Sequence, residues 1–313
     1  MSKKKSRADS AKWTDLVLGV STVFLMASSV SAGPPLPSIN IEGNSGIGVT
    51  STAYLANPAE NGQILAKPSV AAFALFGREK NVQSFAVTEN ILGTYEIGYA
   101  YERLGLGDWP DDVKAAAGAS VNQHLGLHNV NFRAMVVQEG GFNSLWMPAI
   151  TLGSHFKWTD GQTKLDDDLG GLLDRLGSDH SRGVEFTAVA SKKIEDLAPW
   201  PIIVSAGIRN SDAIHTGLFG FAGERRTTFE GNIIAHVAEP LVLCGEYRQK
   251  PDLLDQFSAG GKHLVKAEND WFTVCLGYIL NDNTTLSAGY VNLGNVANHR
   301  EDNAWCFRIK HEF

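Results

Sequence analysis

The sequence has little cysteine, no excess of basic residues and few long apolar runs. Three cysteines in 313 residues exclude a small domain held together by disulfides. Basic residues number 27 against 34 acidic ones, so nothing is available to neutralise phosphates and nucleic acid is excluded as a partner. Only the stretch Leu16–Val30 approaches the roughly 18 apolar residues that a membrane helix needs. A membrane protein of this composition must cross with β-strands, which are only half apolar.

The N-terminus has the pattern of a secretory signal peptide over residues 1–32. A positive K-K-K-S-R stretch precedes the apolar run Leu16–Val30, and the small residues V-S-A end at Ala32. The run is too short and too polar at its ends for a membrane anchor, and no cysteine follows it for lipid attachment. Because residues 1–32 contain five basic and two acidic groups, cleavage after Ala32 makes the mature chain more acidic still.

The last ten residues, Ala304–Phe313, alternate between apolar and polar side chains. Trp305 and Ile309 fall on one face of a strand, whereas Arg308 and Lys310 fall on the other. In an outer-membrane barrel the apolar face meets lipid and the charged face meets a wet lumen. The chain also ends on an aromatic residue, which is typical of the terminal strand of such barrels. We therefore expect an outer-membrane protein that contacts membrane lipid and presents its C-terminal strand to the barrel assembly machinery.

Eleven further segments show the same alternation, some of them weakly. The predicted fold is therefore all-β, a transmembrane antiparallel barrel of about 12 strands over residues 68–313. The segments are residues 68–78, 82–89, 95–102, 125–138, 146–158, 182–193, 200–210, 227–237, 241–250, 272–280 and 284–293.

The connections between these segments alternate in length, as expected for short periplasmic turns and longer outer loops. The predicted turns are Asn90–Gly93, Glu139–Leu145, Ile194–Pro199, Ala238–Pro240 and Asn281–Asn283. The predicted loops are Gly105–His124, Thr159–Ser181, Ser211–Arg226, Pro251–Asn269 and Gly294–Asn303. The connection near Glu79–Asn81 breaks the pattern. A soluble β-sandwich is an alternative, but it would not require this alternation.

Residues 33–67 precede the first strand and include the glycine-rich stretch Ser38–Pro58. Adding that stretch as a strand would give thirteen, a number that bacterial single-chain barrels avoid. Isoleucines and a valine at positions 39, 41, 47 and 49 indicate packing. We expect the segment inside the lumen or across its periplasmic mouth, with a disordered leader as the alternative. A second non-strand feature is the leucine spacing of Thr163–Leu176, which predicts a solvated surface helix, with a cap over the outer mouth as the alternative.

Aromatic residues fall near the ends of the predicted strands. Tryptophan is enriched where a barrel meets the membrane–water interface. The candidate interface residues are Trp146, Trp158, Trp200, Trp271, Trp305 and Phe313.

The predicted inner face carries charges of both signs. These charges could pair and close the lumen as a polar core, because unpaired buried charge is costly. Alternatively they could line a constriction that selects solutes. A barrel of twelve strands encloses more space than one of eight and less than a general porin, and a slight basic excess favours polar or anionic solutes. The candidates are Glu96, Glu102, Arg133, Lys157, Glu185, Lys193, Arg209, Glu230, Glu246, Arg248, Lys250, Arg308, Lys310 and Glu312.

No catalytic or cofactor motif stands out. The sequence has neither a G-x-S-x-G elbow nor an H-E-x-x-H pair, and His124 and His128 lie on a predicted strand. We expect no enzyme, metal or cofactor. A narrow passive channel is the leading hypothesis, a closed structural or interaction barrel the second, and a lipid-acting enzyme the third. Cys244, Cys275 and Cys306 all fall on the inner face, where a bond between the first two would need matching heights.

Four motifs resemble those of a known family. They are I-E-G-x-x-G at Ile41–Gly46, G-L-F-G-F-A-G-E-R-R at Gly217–Arg226, E-Y-R-Q-K-P at Glu246–Pro251 and A-G-Y-V-N-L-G at Ala288–Gly294. With them the sequence resembles the domain-of-unknown-function 3034 family over most of the mature chain. The resemblance implies a bacterial outer-membrane barrel without an established activity, and it supplies no catalytic residues. The three cysteines depart from what we expect of this family.

Overall fold

A computed structural model describes residues 38–59, 62–195 and 200–313, so the predicted signal peptide lies outside the described residues. Within those ranges, twelve antiparallel strands close into one barrel. They are β1 (Ser69–Phe76), β2 (Asn81–Ile91), β3 (Tyr95–Gly105), β4 (His124–Val137), β5 (Ala149–Asp160), β6 (Arg182–Ile194), β7 (Ile202–Ala213), β8 (Phe221–Ala238), β9 (Leu241–Arg248), β12 (Trp271–Asn281), β13 (Thr284–Asn292) and β16 (Ala304–Glu312). Each corresponds to one predicted segment, which confirms the fold.

The barrel closes where the first and last strands pair. Ser69 lies opposite Glu312, and the register continues to Phe76 opposite Trp305. The other neighbours in the barrel follow the order of the chain, as in an up-and-down barrel. The largest difference from the predicted bounds is β8, which begins at Phe221 because the predicted loop before it pairs with β7.

The two ends of the barrel differ, and the difference agrees with the predicted turns and loops. At the end where β16 finishes, which we call the turn end, the connections are short except for residues 138–148 between β4 and β5. At the opposite end, the loop end, the connections are longer, except for the four residues between β1 and β2 and the seven between β7 and β8. The loop-end connections contain α1 (Trp109–Ala117), α2 (Gln162–Asp168), α3 (Leu172–Arg175), a 3-10 turn (Ile214–Gly217), and the short hairpins β10 (Phe257–Ala259) with β11 (Lys262–Val265) and β14 (Asn295–Val296) with β15 (His299–Arg300).

The helix predicted over Thr163–Leu176 is broken in two. Gly170 and Gly171, between α2 and α3, have φ angles of 65° and 76°, which lie in the left-handed region that ends helices. A further 3-10 turn, Gly141–Asn143, lies at the turn end. In the parts of the chain that the structure describes, none of the helices is long and apolar enough to cross a membrane.

Side chains alternate between the two faces of the wall. Along β12 the outward Phe272, Val274 and Leu276 are about half exposed, while the inward Thr273 and Cys275 are buried. Apolar residues thus form a band around the outside, and polar residues face inward. Trp146, Trp158, Trp200, Trp305 and Phe313 are all exposed, near one end or the other.

Trp271 was wrongly assigned to the membrane interface. It is buried, with 8% exposure, because it has the same parity as the inward residues of β12. Its ring lies under two luminal cations, 4.9 Å from Lys250 Nζ and 5.8 Å from Arg248 Cζ. The residue therefore supports the charged interior instead of the outer rim.

Candidate functional site

The interior of the barrel is occupied by residues 38–58, which we call the luminal segment. Residues 39–56 of this segment are buried throughout. Its first turn is set by Asn40, whose side-chain oxygen accepts hydrogen bonds from the backbone N–H groups of Glu42 and Asn44. Gly43 follows with φ of 80°, and a Cβ there would lie 2.9 Å from the Tyr99 carbonyl oxygen. The sequence prediction left the lumen and its periplasmic mouth open as places for this segment, and residues 39–56 lie against the inner face of the wall.

Two carboxylates on the wall hold N–H groups of the luminal segment. Glu246 accepts hydrogen bonds from the backbone nitrogens of residues 48, 49 and 50 at 2.9–3.0 Å, and from the Thr50 hydroxyl at 2.7 Å. Glu96 accepts from the backbone nitrogens of Ser45 at 3.1 Å and Ala56 at 2.7 Å. Together these hydrogen bonds fix the path of the segment along the wall.

Three arginines on the wall bind carbonyl oxygens of the same segment. Arg248 donates to Val49 at 3.0 Å and Arg308 donates to Ile39 at 3.1 Å. Arg133 donates to Ser45 at 3.2 Å and also to Thr52. Since the wall contacts the backbone with both donors and acceptors, the luminal segment is bound in the way that a peptide ligand would be.

Glu42 is the one residue of the luminal segment that carries a charge. Lys157 Nζ lies 2.8 Å from its Oε1, Arg209 donates to its Oε2 at 2.8 Å, and Arg248 donates to Oε1 at 3.2 Å. Lys157 and Arg209 also pair with Glu185, and Arg209 pairs with Glu230 at 3.1 Å. We call these residues, Glu42, Lys157, Glu185, Arg209, Glu230 and Arg248, the Glu42 cluster.

The charges of the Glu42 cluster balance only when Glu42 is in place. Three cations then face three carboxylates, and every one of these side chains is almost completely buried. Burial alone would raise the pKa of Glu42, but Arg209, Arg248 and Lys157 together hold that pKa well below its usual range. Without Glu42 the cluster would keep one uncompensated positive charge, which is costly in a buried site.

A second stretch of chain reaches the cluster from the loop end. The Thr216 carbonyl oxygen accepts a hydrogen bond from Lys157 Nζ at 3.1 Å. His215 and Thr216 have φ angles of 46° and 65°, a region that non-glycine residues rarely adopt. The backbone N–H of His215 donates to Glu268 Oε1, and the same carboxylate pairs with Lys250 at 3.3 Å. This stretch, Ile214–Gly217, therefore meets the luminal segment at Lys157.

Above the cluster, loop residues form an apolar core at the loop end. Trp109 of α1 packs edge-on against Phe219 at 6.0 Å and donates from Nε1 to the Leu264 carbonyl at 2.8 Å. Leu165 and Leu173 from α2 and α3 join the same core. We call this group of buried loop side chains the loop-end core, and it covers the mouth of the lumen at the loop end.

The luminal segment and the side chains around it leave small cavities in the lumen. A small cavity of about 30 Å³ lies beside Ile47, Cys244 and Arg308, and another of about 10 Å³ lies beside Glu185 and Arg209. Cavities of this size hold about one or two water molecules at most. Where the luminal segment lies, it therefore fills the lumen.

The luminal candidates from the sequence are all buried on the inner face except Lys193, which is half-buried at the turn end. The structure brings Lys157, Glu185, Arg209, Glu230 and Arg248 together, and it pairs Glu96 with Arg133 and Lys310 with Glu312. Glu102 joins no pair, and its Oε1 lacks a hydrogen-bond partner among the described residues.

Sequence reasoning missed Glu42 itself, along with Asn129 and Asn131. The two asparagines donate to the carbonyl oxygens of Glu42 and Gly43 at 2.7–3.0 Å. A signal for Glu42 was present, because a single charge in a 21-residue segment predicted to lie in a charged lumen needs a partner.

The cysteines and histidines do not assemble a second site. Cys244 lies directly opposite Cys275, and both are free thiols on the inner face, as is Cys306. His128 faces outward, with Tyr99 Oη 2.8 Å from one ring nitrogen and Asp160 2.8 Å from the other. No group of three metal-ligating side chains occurs within residues 38–59, 62–195 and 200–313.

Comparison with known structures finds similar barrels at low identity. The KdgM porin is 9% identical with a TM-score of 0.46, and the match covers 78% of this chain and 99% of the porin. Omp33 of Acinetobacter baumannii is 8% identical with a TM-score of 0.44, covering 80% and 99%. The outer-membrane phospholipase of Salmonella typhi is 8% identical with a TM-score of 0.37, covering 81% and 94%. At these scores the likeness carries no argument, and the barrel rests on its own strand pairing.

No curated protein matches the sequence. The model of one family, described as "Protein of unknown function (DUF3034)", matches residues 38–310, which is most of the chain. The resemblance found in the four sequence motifs is thus confirmed, and the chain belongs to the DUF3034 family.

Proposed function

We propose that the protein is an outer-membrane channel for small polar or anionic solutes, held closed by its luminal segment. The observation that carries this proposal is that the wall is complete without the segment. The twelve strands pair with one another around the whole barrel, and residues 38–58 add no strand to it. The segment can therefore leave the lumen without opening the wall.

The outer surface supports the membrane location. Large apolar side chains such as Phe229, Phe272, Val274 and Phe307 are each more than half exposed around the barrel. A water-soluble protein rarely exposes a continuous apolar band of this extent, whereas a membrane barrel requires one.

The polar interior supports a lumen that water enters at some stage. An interior that stayed closed could be filled with apolar side chains, which cost nothing in desolvation. Here the interior contains Arg133, Lys157, Arg209, Arg248 and Arg308, each at most 9% exposed. With the segment removed, these cations would line a water-filled lumen and favour anions.

A second candidate is a barrel that never opens and displays its loops to a partner. The loop-end core favours this candidate, because apolar loop packing closes the outer mouth independently of the luminal segment. The ion pairs of the Glu42 cluster are compatible with either candidate.

Planar-bilayer recordings decide between the two. We expect the refolded mature chain to stay closed for most of the record, and a variant lacking residues 38–58 to conduct, with anions carrying more current than cations. As a matched control, Ala53→Cys with Ser191→Cys tethers the segment to the wall, since the Ala53 nitrogen already donates to Ser191 Oγ at 2.7 Å. The three native cysteines are changed to serine in this variant. The channel should then show no openings until the disulfide between residues 53 and 191 is reduced. Silence of the deletion variant would refute the channel and leave the closed barrel.

A further inference from the structure

The Glu42 carboxylate occupies its place in the lumen as a bound anion would. Both of its oxygens are used, Oε1 by Lys157 and Arg248 and Oε2 by Arg209. Elsewhere the wall binds mainly backbone groups of the luminal segment. Glu42 is therefore the one point at which the wall binds a charged group of this segment.

Two of the three cations are held by the wall whether or not Glu42 is present. Arg209 is fixed by Glu185 and by Glu230 at 3.1 Å, both on neighbouring strands. Lys157 is fixed by Glu185 at 3.0 Å and by the Thr216 carbonyl at 3.1 Å. A site whose cations are already oriented loses little entropy when an anion binds.

The arrangement selects a carboxylate among anions. Arg209 approaches end-on, with its two terminal nitrogens 2.8 and 3.5 Å from the two oxygens of Glu42. A planar group with two oxygens matches the guanidinium fork, whereas a chloride ion offers one centre. Because Glu185 and Glu230 leave only one positive charge uncompensated, a single negative charge fits better than a dianion.

We propose that Lys157, Arg209 and Arg248 form a binding site for the carboxylate group of a small monocarboxylate solute, which Glu42 occupies while the barrel is closed. The solute role rests on the proposed channel function. The site itself does not, because its geometry is present in the closed structure. Glu42 is then a tethered competitor, and a solute carboxylate that takes its place favours release of the luminal segment.

The test removes the tethered carboxylate from the full mature chain. In Glu42→Ala, refolded in detergent at constant ionic strength, isothermal titration should show acetate binding at least tenfold more tightly than chloride or methyl phosphate. The wild type and Glu301→Ala, which keep the competing Glu42, should bind acetate at least tenfold more weakly than Glu42→Ala, since Glu301 is a buried carboxylate that contacts residues 78–80 instead. Equal binding of the three anions, or none, overturns the proposal.

If Glu42→Ala does not fold unaided, the same chemistry is measured as rescue. Acetate present during refolding should restore the folded band on an unboiled detergent gel, and equal concentrations of chloride should not. Equal rescue by both anions, or none by acetate, overturns the site. Acetate selectivity alongside a silent deletion variant supports the site and refutes only the channel. Current through the deletion variant without acetate selectivity refutes the site and leaves the channel.

Discussion

Replacing Glu42 with glutamine is the sharpest perturbation of the closed state, because it removes the charge and keeps the shape. Lys157, Arg209 and Arg248 then lose the carboxylate they share, and one buried positive charge is left without compensation. Breaking one partner of a buried ion pair costs about 3–5 kcal/mol. The wall strands keep their ladder hydrogen bonds, so most of this cost should fall on the contact between the segment and the wall.

The expected readout is amide hydrogen exchange in detergent micelles. At roughly 1.4 kcal/mol per tenfold change, a cost of about 3–5 kcal/mol raises the open fraction of the luminal segment by a factor of about 10² to 4 × 10³. The N–H groups of Gly48, Val49 and Thr50, which donate to Glu246, should exchange faster by that factor, while β12 stays unchanged. Glu301→Gln is the matched control. Unchanged exchange at residues 48–50 in Glu42→Gln would refute the idea that this carboxylate holds the segment.

Three other expectations follow from the same contacts. Because the folded pKa of Glu42 lies below its unfolded value, its contribution to stability is present above about pH 4.3 and is lost as the pH falls through the folded pKa. Opening of the segment, measured as amide exchange corrected for the intrinsic rate at each pH, should therefore rise in acid more in the wild type than in Glu42→Gln. Gly43→Ala should loosen the segment by roughly 1–3 kcal/mol, since it combines a left-handed φ with a Cβ 2.9 Å from a carbonyl oxygen, and limited proteolysis of folded protein would show it. Removing Phe313 should lower the yield of heat-modifiable barrel in cells; full assembly without it would contradict a role for the terminal residue.

The wall could be predicted from the sequence because each strand carries its own signal. Alternation of the kind found in Ala304–Glu312 depends only on which solvent each face of the strand meets. It can therefore be recognised in one strand without knowing which strands pair with it. Trp271 shows where this reasoning was misapplied. Its position near a strand end suggested the interface, although the parity of β12 already directed it inward.

Sequence reasoning could predict where the luminal segment lies, but it could not predict the path of its backbone. Its backbone follows fixed groups on distant strands, such as Glu96 on β3 and Glu246 on β9, and no local period records those contacts. The pairing inside the Glu42 cluster depends on how far each strand is staggered around the barrel, which alternation does not reveal. Sequence reasoning therefore identified the charges and could not say which of them would meet.

Lys157 links the two closures of the lumen through one ammonium group. Its Nζ contacts Glu42 of the luminal segment, Glu185 of the wall and the Thr216 carbonyl from the loop end, which accounts for its three donors. Release of Glu42 frees one of these donors beside Thr216, whose carbonyl oxygen still accepts from Nζ. The segment and the loop-end stretch Ile214–Gly217 therefore share one donor group, so we expect loss of the Glu42 carboxylate to change the hydrogen bonding of both.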